Sequence, residues 1–249
     1  MPSPLSGGIS SVWLDGRLSG GNSSTSGSGV DVDAENGAAG DGLRADARRN
    51  RDLIVAAARE LFLEKGLDVA LEEVSRRAGV GIGTLYRRFP DREALLRGVA
   101  EDNLRRLVEL AETASREEPD AWHGLCRFLR GCADLRMGEL SAKLEPRLHQ
   151  RIRAGEGLSG RRRRVMDALL RMIAQAQADG DLRPDVGPVD IALLMTVHVY
   201  TPPHMPAGQA AGRVVEIMLN GLRPGPALPG AALPEADLLR YIDPGADGP

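Results

Sequence analysis

The chain has 249 residues, a formal net charge of -3, and 42% hydrophobic but only 3% aromatic residues. That length suits one large domain or two small ones with a full core, and the core must come from Leu, Val, Ile, Ala and Met. The slightly acidic total excludes a uniformly basic nucleic-acid coat, so any phosphate-binding surface has to be local. No run approaches the ~18 apolar residues of a membrane span. No basic-then-apolar leader opens the chain, and a cytoplasmic protein is expected. Cys126 and Cys132 form no CxxC or Cys/His cluster and are expected to be small buried hydrophobes.

Residues 1–43 are rich in Gly, Ser and Asp and carry one Arg against five acidic residues. They offer too little apolar surface to offset the entropy of ordering, so a disordered acidic tail is predicted. From about residue 46 the pattern turns helical, with Ile54, Ala57, Ala58, Leu61 and Phe62 forming one stripe. Gly66 ends that helix. A short helix follows over 71–78 and is closed by Gly79; another covers 82–89. Asp91 is placed to cap a long fourth helix whose face carries Leu96, Val99, Asn103, Leu107 and Leu110. Further helices are predicted over 120–137, 141–154, 159–179, 188–200 and 207–221, with Pro146 inside the second of these as a late start or a kink. No stretch alternates with period two. After 223 the chain becomes Pro/Gly-rich.

The two short helices joined by "GVG" have the form of a helix-turn-helix, in which a glycine near the turn lets the helices cross closely. The second helix then lies in the DNA major groove. Gly83 and Thr84 are small enough for close backbone approach. Tyr86, Arg87 and Arg88 reach phosphates or base edges, while Leu85 and Phe89 face the core. Residues 44–92 hold eleven Lys or Arg against eight Asp or Glu, a local excess of +3. Arg48 and Arg49 precede the first stripe and are placed for phosphates or an adjacent groove.

The stretch "AARELFLEKGLDVALEEVSRRAGVGIGTLYRRFPDREALL" resembles the DNA-binding domain of the TetR (tetracycline-repressor) family of bacterial regulators. It shares the glycine after the first helix, the AGV turn, the GTLY recognition helix, the F-P break and a charged opening to the fourth helix. The resemblance implies an all-α chain of about nine helices. Residues 44–98 would form a three-helix helix-turn-helix domain, 99–222 a helical ligand-binding and dimerisation domain, and 223–249 a tail. It also implies a regulator, expected to be a repressor, that binds a near-palindromic double-stranded DNA operator, nucleoid-associated when bound. A small-molecule effector and a homodimer through the last two helices follow from the same resemblance. Thr84, Tyr86 and Arg92 stand where members commonly contact phosphates, Gly83 where close approach is needed, Arg88 where many carry His, and Arg87 at a variable position suited to base readout. Two positions depart from the pattern. Val69-Ala70-Leu71 replaces a Thr or Ser start to the second helix, leaving Asp68 as the candidate cap. Gly81 replaces a capping Ser.

The run "RRRR" at 161–164 points around a whole helix turn and reads as a solvated or rim-facing surface. Trp122, Phe128 and His198 lie on apolar faces, as core residues or as lining of a ligand pocket. Glu145 and His149 read as a surface pair. No nucleophile has a base partner, no glycine loop cradles phosphate, and His198, His204 and Met205 lack a carboxylate or thiolate to complete a metal site. No enzyme, cofactor or metal is expected. The alternative reading is a helical interaction module that has lost sequence-specific DNA binding.

Overall fold

The computed structural model describes residues 32–153, 158–197 and 207–234, and among these every regular element is an α-helix. The first five are α1 (Val32–Lys65), α2 (Leu71–Ala78), α3 (Ile82–Arg88), α4 (Arg92–Glu117) and α5 (Ala121–Asp134). They are followed by α6 (Met137–Lys143), α7 (Pro146–Arg153), α8 (Leu158–Ala178), α9 (Pro188–Leu194) and α10 (Ala207–Gly221). No described helix is long and apolar enough to cross a membrane.

Packing divides the chain into two units, Met1–Leu43 and Arg44–Pro249. Of the first, only residues 32–43, the opening of α1, are described. This corrects the expectation that residues 1–43 lack regular structure throughout, because the helix is present from Val32. Extending an existing helix needs no new nucleus, and alanines at 34, 38, 39, 45 and 47 are strong helix formers. Apolar periodicity has nothing to detect in such a stretch.

The second unit holds two hydrophobic cores. The smaller takes Ile54, Leu61 and Phe62 from α1, Val74 from α2, Leu85 from α3, and Leu95 and Val99 from α4. Each of these is fully buried, and burial of such a side chain stabilises by about 1.5–3 kcal/mol. The same core also takes in Leu140 of α6 and Ile152 of α7. The larger core packs the second half of α4 against α5, α8, α9 and α10, with Leu125, Phe128, Leu169 and Ile191 at its centre.

α4 serves both cores, and a polar layer separates its two apolar stretches. Asp102 and Asn103 are buried there. Burial alone would raise the Asp102 carboxyl, but hydrogen bonds from Arg105 (2.5 Å) and Arg106 (2.8 Å) outweigh it and hold the group below the usual carboxylate range. Asn103 Oδ1, and Arg59 Nε on α1, are buried without a hydrogen-bond partner among the described residues.

The predicted helix over 141–154 is two helices, which brings the count to ten among the described residues. Proline cannot sit inside a helix without losing a hydrogen bond, but it fits the first helical position. Pro146 takes that place in α7, and Glu145 accepts from the Leu148 N–H at 2.9 Å. The side chain of His149 lies outside the described residues, as do His198 and His204. At the other end of the unit, Arg183 is buried and donates to the Gly221 carbonyl (3.0 Å) and to Asp185 (2.6 Å). Asp185 in turn accepts the Leu228 N–H at 2.7 Å, so the segment after α10 is tied back to the α8–α9 loop.

Candidate nucleic-acid interface

Three residues, Gly79, Val80 and Gly81, join α2 to α3. Gly79 is left-handed (φ 67°), with its N–H on the Arg76 carbonyl at 3.2 Å and the Val80 N–H on the Ser75 carbonyl at 3.0 Å. An L-residue such as Ala would be strained there by roughly 1–2 kcal/mol. Neither helix has a side-chain cap. α2 starts from Ala70 with no side-chain hydrogen bond, so Asp68 is not the cap the sequence suggested. Glu72 and Glu73 in the first turn complement the helix dipole instead. Gly81 caps α3 through its backbone alone, with its carbonyl accepting from Thr84 N at 2.9 Å.

α3 is anchored by Leu85 and Phe89, which are 0% and 5% exposed. The Phe89 ring lies so close to α4 that a Cβ on Gly98 would stand 2.7 Å from it. The opposite face of α3 looks outward. Tyr86, Arg87 and Arg88 are exposed, and Thr84 is half-buried. A Cβ at Gly83 would meet nothing within 4 Å, so the helix backbone is open to close approach there.

The arginines of this region divide into two groups. Arg77 on α2 reaches back to α1, 3.1 Å from Glu64 and 3.6 Å from Glu60. Lys65 pairs with Glu73 at 2.5 Å, and Arg76 lies 3.8 Å from the same carboxylate. Hydrogen bonds from Arg77 and Lys65 hold the Glu64 and Glu73 carboxyls below their ordinary range. Arg77 and Lys65 therefore clamp α2 to α1, while the Arg76 contact stays within α2. Arg87 makes only a long contact to the Thr84 hydroxyl (3.5 Å), and Arg88 has no partner among the described residues. Arg92 turns to the loop before α2, where its guanidinium donates to the Leu67 carbonyl and, at 2.8 Å, to that of Val69. On α1, Arg49 pairs with Asp46, while Arg48 is exposed and unpaired among the described residues.

Residues 54–99 match the domain described as "Bacterial regulatory proteins, tetR family". Residues 120–224 match "Transcriptional regulator SbtR-like, C-terminal domain". A TetR transcriptional regulator from Streptomyces coelicolor is 33% identical, with 70% of this chain and 98% of that one covered and a TM-score of 0.50. A TetR transcription regulatory protein from Mycobacterium vanbaalenii is also 33% identical, with 73% and 99% covered and a TM-score of 0.52. The chain belongs to the TetR family. An HTH-type transcriptional regulator of Staphylococcus aureus is 36% identical over 63 residues, which is 25% of this chain and about a third (34%) of that relative's length. This TetR-family chain is a DNA-binding transcriptional regulator and not an enzyme, and its family implies a small-molecule-binding helical domain behind the DNA-binding one.

In the back half of this TetR-family fold, Trp122 belongs to the larger core and also borders a surface pocket of about 260 Å³ between α5 and α10. Cys126, Arg130, Glu216 and Arg223 share that pocket. Arg130 pairs with Glu216 across it at 2.6 Å, and Arg223 lies 4.3 Å over the Trp122 ring. Phe128 is sealed in the core, while His198 is outside the described residues. Both cysteines are buried thiols, and desolvation pushes Cys126 up to about 11 and Cys132 higher. Within "RRRR", Arg162 is buried, Arg164 pairs with Glu112 at 2.5 Å, and Arg161 and Arg163 are exposed. Lys143 was not singled out from the sequence. It donates to the Leu63 carbonyl at 2.6 Å and the Phe62 carbonyl at 3.4 Å, at the end of α1. Its being one of only two lysines was the available signal.

Proposed function

We propose that the chain is a ligand-responsive repressor that binds a near-palindromic operator as a homodimer. The supporting observation is the division of labour on α3, where Leu85 and Phe89 hold the helix down while Tyr86, Arg87 and Arg88 stand free on the outer face. Arg87 reads a base edge, with guanine best suited to its fork. Arg88, Tyr86, Thr84 and the α1 residues Arg48 and Arg49 meet phosphates, and Gly83 lets the backbone approach. Arg92 serves mainly by fixing the turn that aims α2, with its remaining donors available to a phosphate.

The working division is a DNA-binding head over 44–98, a ligand-binding and dimerisation body over 99–222, and tails over 1–43 and 223–249. Leu193, Val197 and Ile217 are large apolar residues left exposed on α9, just after it, and on α10. An isologous partner would bury them. The effector binds among the body helices, with Trp122 as apolar wall. α6 carries the response. Its Leu140 sits in the head core, its Lys143 caps α1, and its Gly138 lies directly against the Thr196 carbonyl after α9. A ligand that prefers one spacing of the heads shifts the population toward it.

Electrophoretic mobility shifts with duplexes from the chain's own upstream region, and with duplexes selected from a random pool, test the reading. Binding should appear at low salt, require the dimer, and lose sequence preference in Arg87→Ala. Failure to bind any selected duplex as a dimer at low salt would overturn it. Release of a reporter promoter on adding effector separates repression from activation.

A further inference from the structure

We infer that Ile82 reads the 5-methyl group of a thymine, so that each half-site recognised by this chain carries an A·T pair facing Ile82. The inference rests on α3 being the helix that enters the major groove. Ile82 opens α3 and is 38% exposed, while Leu85 and Phe89 already supply the anchoring side of the segment. Gly81 and Gly83 flank it, and a Cβ at either position would meet nothing within 4 Å. Ile82 is therefore a branched apolar side chain standing clear between two positions of bare backbone. Tyr86, one turn on, is 44% exposed, and the cations Arg87 and Arg88, neither matched by a carboxylate among the described residues, follow it.

Those cations favour a nucleic-acid occupant over an apolar protein surface. The major-groove edges of all four base pairs present hydrogen-bond donors and acceptors, and the apolar group among them is the thymine methyl. Set against a G·C edge, an isoleucine would strip water from polar atoms and return no hydrogen bond, which is unfavourable. Set against thymine, it buries a methyl group on both sides. The two glycines allow the approach that this contact needs, which a bulky neighbour would prevent.

The test uses the full chain and the tightest duplex selected from a random pool. Each thymine is replaced in turn by deoxyuridine, which removes only the methyl group. One thymine per half-site should be sensitive, with affinity falling about fourfold for each buried methyl lost. Ile82→Ala should bind the thymine duplex as weakly as the parent binds the deoxyuridine duplex, and should no longer distinguish the two. Ile82→Val should retain the distinction. Thermal melting checks that both variants fold, as expected for a side chain outside the core. Silence at every deoxyuridine position, or full discrimination kept by Ile82→Ala, overturns the inference while leaving DNA binding intact. A surface reserved for a protein partner would give that silence. Failure to select any duplex overturns the reading of α3 itself, and this inference with it.

Discussion

The pairing of arginines near the turn leads to a quantitative expectation for DNA binding. Arg77 and Arg88 lie in similar Arg-Arg pairs, at the ends of α2 and α3. In the folded chain Arg77 is within 3.1 Å of Glu64 and 3.6 Å of Glu60, whereas Arg88 is unpaired among the described residues. A cation already matched by carboxylates displaces few counterions from DNA. A free one that neutralises a phosphate contributes about 0.9 to the slope of log K against log salt. Arg88→Gln should therefore flatten that slope by about 0.9 per head, or about 1.8 with both heads of a dimer bound. Over a fourfold rise in salt this is about a twelvefold loss of salt sensitivity. Arg77→Gln should leave the slope nearly unchanged. Fluorescence anisotropy with a labelled duplex of arbitrary sequence is sufficient, because non-specific binding carries the same electrostatic term. A drop in slope for Arg77→Gln equal to that for Arg88→Gln would refute the reasoning, since it would mean that the clamp to α1 leaves the Arg77 charge free.

Three further outcomes follow from the packing. Gly79→Ala should lower stability by roughly 1–2 kcal/mol, read as a drop in melting temperature, through backbone strain alone. Gly79→Asn should lose less, and an equal loss in both would count against the left-handed turn. Asp102→Asn tests the buried carboxylate. Its folded value lies below the unfolded one, so its stabilisation is complete above about pH 4 and is lost as pH falls through that range toward the folded value. The gap in melting temperature between parent and variant should close on acidification, and a gap independent of pH would contradict the assignment. Gly138→Ala places a Cβ 2.1 Å from the Thr196 carbonyl oxygen, so α6 and the end of α9 must separate. That overpacking should cost about 1–3 kcal/mol. At Gly131 the three atoms nearest an added Cβ all belong to the flexible Leu110 side chain, so Gly131→Ala should be far milder. Denaturant unfolding compares the two.

The parts of the fold legible in the sequence were those written in local pattern. The stripe from Ile54 to Phe62, the stops at Gly66 and Gly79, and the Asp91 cap, whose carboxylate accepts from Ala94 N at 2.7 Å, all depend on neighbours within a few residues. Pro146 marked the break that separates α6 from α7. Longer-range pairings were not legible. Nothing in the chain order says that Lys143 caps a helix ending near Phe62, or that Arg92 serves the Leu67 and Val69 carbonyls. Two Arg-Arg pairs read alike until tertiary contacts show that Arg77 is engaged and Arg88 is not. The outward set on α3 could be found because helix periodicity separates Leu85 and Phe89 from Tyr86 and Arg87. Ile82 was hidden by its type, since an isoleucine is assigned to a core before it is considered for a surface.

Leu140, Lys143 and Ile152 give the DNA-binding head a physical boundary that differs from its position in the chain. A cut after residue 98 keeps the three-helix unit intact as a sequence, yet removes Val99, Leu140 and Ile152 from its core and the cation that closes α1. Regulators assembled by joining this head to another body at that point would expose a small apolar scar and a frayed helix end. For modular exchange, the transferable piece is the head together with α6 and α7, or a head whose Leu140 and Ile152 sockets have been refilled by the new body.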